Sequence, residues 1–344
     1  MNIELPSRLT DLIGAEMTDL RPVLHVPARD VPVPTSVSAE AQAVLAMPPM
    51  QSPGYPPLDD LDGWRTLIAD HDRTIGATLS ARAADAPVRT EELDLGPFRV
   101  HDITPIDLST DDDRVYLDIH GGAFIYGAGE ACRAMAVGTA TRAGIRVWAV
   151  DYRMPPDHPF PAALDDCLAT YRALLEECQP ERIVVGGSSA GGNLAAALIL
   201  RARDEGLPLP AGAVLKTPVV DLTESGDSIQ TNLGLDPLLP RRSMPAFLLY
   251  AAGHDLKNPY VSPLFGDFTK GFVSTILTTG TRDLLLSDSV RMHRALRAAG
   301  VDAHLHVTEA GGHGGFFGMA PEDDAIQREI RQFVDSSTGW RSKF

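Results

Sequence analysis

Five residues, Gly187-Ser188-Ser189-Ala190-Gly191, constrain this chain more than any others. They follow the apolar run Ile183-Val184-Val185 and open an Ala/Leu-rich segment, 194–203, that reads as a helix. Small residues two before and two after a central serine fit the G-x-S-x-G pattern of a sharp strand-to-helix turn. A serine at such a corner takes a strained backbone conformation, and bulkier flanks would collide. The helix that follows points free N–H groups and the positive end of its dipole at the site. Ser189 is therefore the candidate nucleophile. A glycine-rich turn without chemistry has the same local look, so the rest of the chain must separate the two readings.

The surroundings read as alternating strands and helices. Strand-like runs fall at 90–95, 98–104, 115–119, 146–150, 183–185, 213–220, 273–278 and 303–307, with helical segments between most of them. That alternation predicts an α/β fold with a mostly parallel sheet of about eight strands and helices on both faces. The first two runs, joined across Gly96-Pro97, predict an antiparallel edge. Sites in such sheets lie beyond the carboxyl ends of the strands, where Ser189 falls.

Residues 1–87 differ. Nine prolines between Pro22 and Pro57 separate two helical pieces. The second piece, 58–84, begins with Asp59 and Asp60, which suit a helix N-terminus. It places Trp64, Leu67, Ile68, His71, Ile75 and Leu79 on one stripe at helical spacing. A stripe this long must bury against something, so 1–87 reads as a helical cap on a catalytic domain at 88–344, with His71 packed rather than a ligand.

Composition narrows the partners. Thirty Lys+Arg against 46 Asp+Glu give a formal net charge of −16, which argues against nucleic acid and anionic membranes. Residues 1–21 have no apolar core of a secretory signal, and no apolar run is long enough to insert in a bilayer. Cys132, Cys167 and Cys178 are too few for a disulfide framework and show no zinc-site spacing, so reduced thiols in a cytoplasmic protein are expected. His293, His304 and His306 likewise show no ligand-spaced motif; the expectation is no metal and no cofactor.

Three further clusters fall at strand ends. His120-Gly121-Gly122-Ala123-Phe124 closes the third run. Its glycines let the backbone approach a ligand and present N–H groups, as an oxyanion hole requires. Gly121 and Gly122 are the expected donors, with Ala190 as the third, and His120 is expected to hold the loop. This is the HGGG-type motif that accompanies the elbow in lipases and esterases, where acid and base follow the serine in the order Asp/Glu, His. Asp283 follows the run 273–278, and His313 lies in Gly311-Gly312-His313-Gly314-Gly315 after the last strand. Asp221, Asp255 and Asp288 compete for the role of acid; Asp288 is expected in a helix, the other two in loops.

Taken together, these motifs resemble the bacterial hormone-sensitive-lipase-like (family IV) esterases of the α/β-hydrolase fold, over 116–317. Two more segments carry the resemblance. Asp151-Tyr152-Arg153-Met154-Pro155-Pro156-Asp157-His158-Pro159-Phe160-Pro161-Ala162-Ala163 is similar to the family's DYRLAPEHPFPAA, and Tyr260-Val261-Ser262-Pro263-Leu264 to its Y-x-SPL. The first of these reads as a rigid, salt-bridged loop and not as an acid–base constellation. The resemblance implies a cap over an acyl pocket and cofactor-free hydrolysis of small, short-acyl carboxylic esters by a serine carboxylesterase. It also implies that homodimers can occur. Ser188 stands where many relatives have Asp or Thr, Ala123 replaces a glycine, and the Pro-rich N-terminal region aligns with nothing in the family. A lactonase, amidase or carbamate hydrolase would carry the same triad. A non-catalytic ligand-binding protein on this scaffold would tend to lack His313.

Overall fold

The computed structural model describes residues 23–48, 54–239 and 242–340. Those of 23–33 carry no helix or strand and are largely exposed, and the described residues from Pro34 onward form one compact unit. That unit is built on an eight-stranded sheet: β1 Val88–Asp94, β2 Arg99–Pro105, β3 Val115–Ile119, β4 Arg146–Asp151, β5 Ile183–Ser188, β6 Gly212–Lys216, β7 Thr275–Gly280 and β8 Ala303–Thr308. Their order is β1-β2-β4-β3-β5-β6-β7-β8. β1 pairs antiparallel with β2, and β2 with β4, while every other pairing is parallel. All eight expected strands are present, including the antiparallel edge.

The helices are α1 Ala39–Leu45, α2 Leu61–Ala83, α3 Glu130–Ala143, α4 Ala162–Glu177, α5 Ala190–Asp204, α6 Ser228–Thr231, α7 Met244–Ala251, α8 Leu286–Ala298 and α9 Pro321–Ser337. Strand residues alternate between the two faces, and β3 displays the rule. Val115, Leu117 and Ile119 join α4, α5 and α8 in one core, whereas Tyr116 joins α3 and α9 in another. Both faces are thus covered, as a parallel sheet demands.

One strand boundary differs from the sequence reading. The apolar run 213–220 suggests a strand to Val220, but β6 stops at Lys216 because Thr217 adopts φ +42°. Val219 and Val220 are buried all the same, packed as loop residues beside α5. The helix α5 begins four residues before 194, directly after Ser189.

Asp60 caps α2, its side chain accepting from Gly63 N at 2.9 Å. Trp64 is fully buried against Ile125 and against Ala246 and Leu249 of α7, and its indole N–H donates to Pro57 O at 3.0 Å. Farther along the stripe, His71 stacks on Tyr126 with ring centroids 3.9 Å apart. Near the other end of the sheet, Val37, Ala41 and Val44 of the α1 region pack with Ala310, Phe316 and Ala320.

Candidate active site

Ser189 lies between β5 and α5 with φ +57° and ψ −117°, a conformation that costs an ordinary side chain of order 1–3 kcal/mol. Its N–H donates to Lys216 O at 2.9 Å, and its carbonyl accepts from Val219 N at 3.2 Å, so neighbouring chain holds the corner in place. Both flanking glycines are sterically required. A Cβ on Gly187 would overlap the Gly191 carbonyl, and one on Gly191 would overlap the Ile119 carbonyl.

The glycine loop after β3 closes over this corner. A Cβ on Gly121 would sit 2.8 Å from Ser188 O and 3.3 Å from the Ser189 Cβ, so the Gly121 backbone lies directly against the serine. Gly122, Ala123 and Phe124 all have positive φ, which turns the chain tightly. Among the described residues, no hydrogen bond engages the N–H groups of Gly121 and Gly122, and that of Ala190, first in α5, has no acceptor within the helix. His120 stabilises the loop from beneath. Its Nδ1 lies 2.8 Å from Gly121 O, its ring stacks on Tyr152 at 4.0 Å, and Tyr152 Oη donates to His120 O at 3.0 Å. Burial lowers its pKa, which favours a neutral ring suited to holding rather than transferring protons.

Asp283 and His313 meet across β7 and the loop after β8. The His313 Nδ1 lies 3.1 Å from Asp283 Oδ1, and both side chains are buried. Asp283 is held by two more donors, Leu285 N at 2.9 Å to Oδ1 and Thr279 Oγ1 at 2.7 Å to Oδ2. Burial alone would lower the His313 pKa. The attraction and hydrogen bond of Asp283, helped by the charge of Asp236, outweigh it and raise the pKa above the ordinary histidine value.

No hydrogen bond joins Ser189 Oγ to His313, a bond often long before substrate arrives. A cavity of about 330 Å3 lined by Ser188, Lys216, Thr278 and Gly314 lies against Arg142 of α3 and Ile330 of α9, and neither Ser189 nor His313 lines it.

The competing acids are elsewhere. Asp288 lies in α8 and accepts from Val220 N and Asp221 N; Asp221 holds Thr223, Ser225 and Arg291; Asp255 caps a turn at Lys257 N. The segment after β4 is structural: Asp166 holds Arg153 through contacts of 2.7–3.1 Å, and Asp157 pairs with Arg65 of α2 at 2.7 Å. His304 is exposed, while His306 pairs with Glu329 of α9.

Asp236, absent from the sequence reading, is 1% exposed and ties the segments carrying Asp283 and His313 together. Its Oδ2 accepts from Leu284 N and His313 N, both at 3.0 Å, and its Oδ1 from Leu238 N and Leu239 N at 2.9 and 3.1 Å. In sequence, Asp236-Pro237 reads as an ordinary turn, and only the fold brings it to residues 284 and 313.

Residues 116–317 match the family model of the alpha/beta hydrolase fold. The chain superimposes on the crystal structure of an esterase from the bacterial hormone-sensitive lipase family with a TM-score of 0.75 and 32% identity, covering 88% of this chain and 99% of that one. The protein belongs to that family. It is also similar to the crystal structure of esterase E25, with a TM-score of 0.84 and 36% identity over 91% of this chain and 98% of that one. An acetyl-hydrolase of Streptomyces hygroscopicus is 38% identical over 199 residues, or 57% of this chain. The match spans 65% of that relative, a little under two thirds of its length.

Proposed function

We propose that this protein is a serine carboxylesterase acting on small, short-acyl esters without a cofactor. Ser189 Oγ attacks the ester carbonyl as His313 Nε2 takes its proton, and Asp283 holds the imidazole by Nδ1 and stabilises its charge. The N–H groups of Gly121, Gly122 and Ala190 stabilise the oxyanion. Next, His313 protonates the leaving alcohol, and an acyl group remains on Ser189. Water, deprotonated by the same histidine, then releases the acid.

The observation that carries this reading is the buried Asp283–His313 hydrogen bond at 3.1 Å, at the same sheet edge as a serine held at φ +57°. The acetyl-hydrolase and esterase relatives support the ester class. Trp64 and α2, packed against Ile125 and α7, support a cap beside the acyl pocket. Among the described residues no helix is long and apolar enough to cross a membrane, and the free cysteines fit a cytoplasmic enzyme.

Turnover of a series of p-nitrophenyl esters tests the proposal. Activity should peak at short acyl chains, vanish in Ser189→Ala and survive in Ser188→Ala. An inactive Ser188→Ala beside an active Ser189→Ala would overturn it, and a preference for lactones or amides in a wider panel would redirect the substrate.

A further inference from the structure

Beneath the oxyanion loop, three side chains from three elements converge: His120 after β3, Cys132 in the first turn of α3, and Asp151 at the end of β4. Their ligand atoms all lie within 4.8 Å of one another. We propose that they form a binding site for one zinc-like divalent cation. Neighbouring residues in space, they are 12 and 19 positions apart in the chain, so no local spacing could reveal them.

The histidine supplies the independent sign. His120 Nε2 is buried and has no hydrogen-bond partner, an arrangement that costs about 1–3 kcal/mol if nothing fills it. With Nδ1 donating to Gly121 O at 2.8 Å, Nε2 carries the lone pair and is the ring nitrogen left for a ligand. That is the usual state of a metal-bound imidazole, whose other nitrogen donates to a carbonyl or carboxylate and so fixes tautomer and orientation. Asp151 is similarly prepared. Gly129 N, at the start of α3, donates to its Oδ1 at 2.9 Å and leaves the second oxygen for an ion.

The charges also balance. A neutral imidazole, a thiolate and a carboxylate sum to −2, which a divalent cation neutralises. Asp72 and Asp118 add further negative potential at the His120 ring. On binding, the Sγ–H bond of Cys132 breaks, its proton leaves to solvent and the sulfur's electron pair forms the bond to the metal, with no oxidant or reductant required. A mixed N, S and O donor set selects zinc over magnesium or calcium, which take oxygen ligands. Tetrahedral zinc at its ordinary bond lengths keeps one nitrogen, one sulfur and one oxygen about 3.3–3.6 Å apart. The three side chains therefore need to close by about 1 Å, within reach of small rotations. Three protein ligands leave the fourth position to water, entering past the partly exposed Asp151. A bound ion would pin His120 and with it the Gly121 loop.

Chelator-stripped protein loaded with zinc chloride or cobalt chloride and passed through a desalting column tests this. One ion per chain should be retained, and the cobalt form should show near-ultraviolet thiolate-to-metal absorption. Cys132→Ser should lose both, and Asp151→Asn should weaken retention by at least the 10–100-fold typical of lost outer partners. Cys178→Ser, at the partly exposed cysteine, should change neither. The inference is overturned if the unmodified protein shows no thiolate absorption and retains no ion. It is equally overturned if both signals survive Cys132→Ser or disappear in Cys178→Ser. Should Cys132→Ser fail to fold, Cys132→Ala and the absorption of the unmodified protein still decide.

Discussion

Asp236→Asn offers the sharpest test of how the acid and base are held together. Both carboxylate oxygens of Asp236 are used, each by two backbone N–H groups, and the side chain is buried. An amide keeps the shape but turns one oxygen into a donor. In either flip, two N–H groups then face another N–H instead of an acceptor. Hydrogen bonds to a charged group contribute about 1.5–3 kcal/mol each, so the loss is about 3 kcal/mol or more. Against a total stability of about 5–15 kcal/mol, the variant should fold but melt earlier. The effect on turnover should be of similar size to the effect on stability. Loosening the anchor of His313 and Leu284 shifts the imidazole, and a displacement of about 1 Å can cost roughly a hundredfold in rate. The expectation is a kcat lowered about a hundredfold with KM little changed. The pH profile separates positioning from general weakening. The Asp236 charge helps raise the His313 pKa, and His313 must be neutral to act as base. Removing that charge should therefore move the acidic limb of kcat/KM to lower pH. A pH-stat assay on a short-chain ester, with thermal melts alongside, reads all three quantities. A variant with wild-type melting, kcat and acidic limb would refute the reasoning.

Other consequences concern the buried Asp288 and the oxyanion loop. Burial pushes the Asp288 carboxyl up to about 7, although Val220 N and Asp221 N both donate to it. Because the folded state holds this proton more tightly than the unfolded chain, its contribution is complete below about pH 4. It falls away as pH rises towards 7 and is flat beyond. Asp288→Asn, neutral throughout, should therefore gain stability relative to wild type between pH 5 and pH 8 in denaturant titrations. A constant difference across that range would contradict the assignment. Gly121→Ala should lower kcat about a hundredfold or more, since its Cβ would meet Ser188 O at 2.8 Å and displace an oxyanion donor. Unchanged turnover of a p-nitrophenyl ester would remove Gly121 from that role.

What the sequence reveals here follows from how local each cause is. The central strands were legible because they are short apolar runs closed by turn residues, β1 and β2 because they flank Gly96-Pro97, and the elbow because its steric demand falls on immediate neighbours. Asp283 and His313 could be picked out by position, since strand ends at one sheet edge can be counted along the chain. The end of β6 was not legible: Val219 and Val220 are as apolar as any strand residue, and Thr217, at φ +42° with its N–H on Thr278 O, leaves the strand through contacts made far along the chain. Asp236 was hidden for the opposite reason. Its four bonds go to backbone groups, two of them 48 and 77 residues away, and backbone leaves no side-chain signature. The cluster of His120, Cys132 and Asp151 exists only because β3 and β4 are parallel neighbours with α3 laid across them.

The central claim is that Ser189 is activated by a histidine held by Asp283. Labelling with a fluorophosphonate, followed by peptide mass spectrometry, tests it most directly. One adduct per chain on Ser189, with labelling slowed by orders of magnitude in His313→Ala, is the result this account predicts. An adduct on Ser188, or labelling of Ser189 that is indifferent to His313, would contradict it.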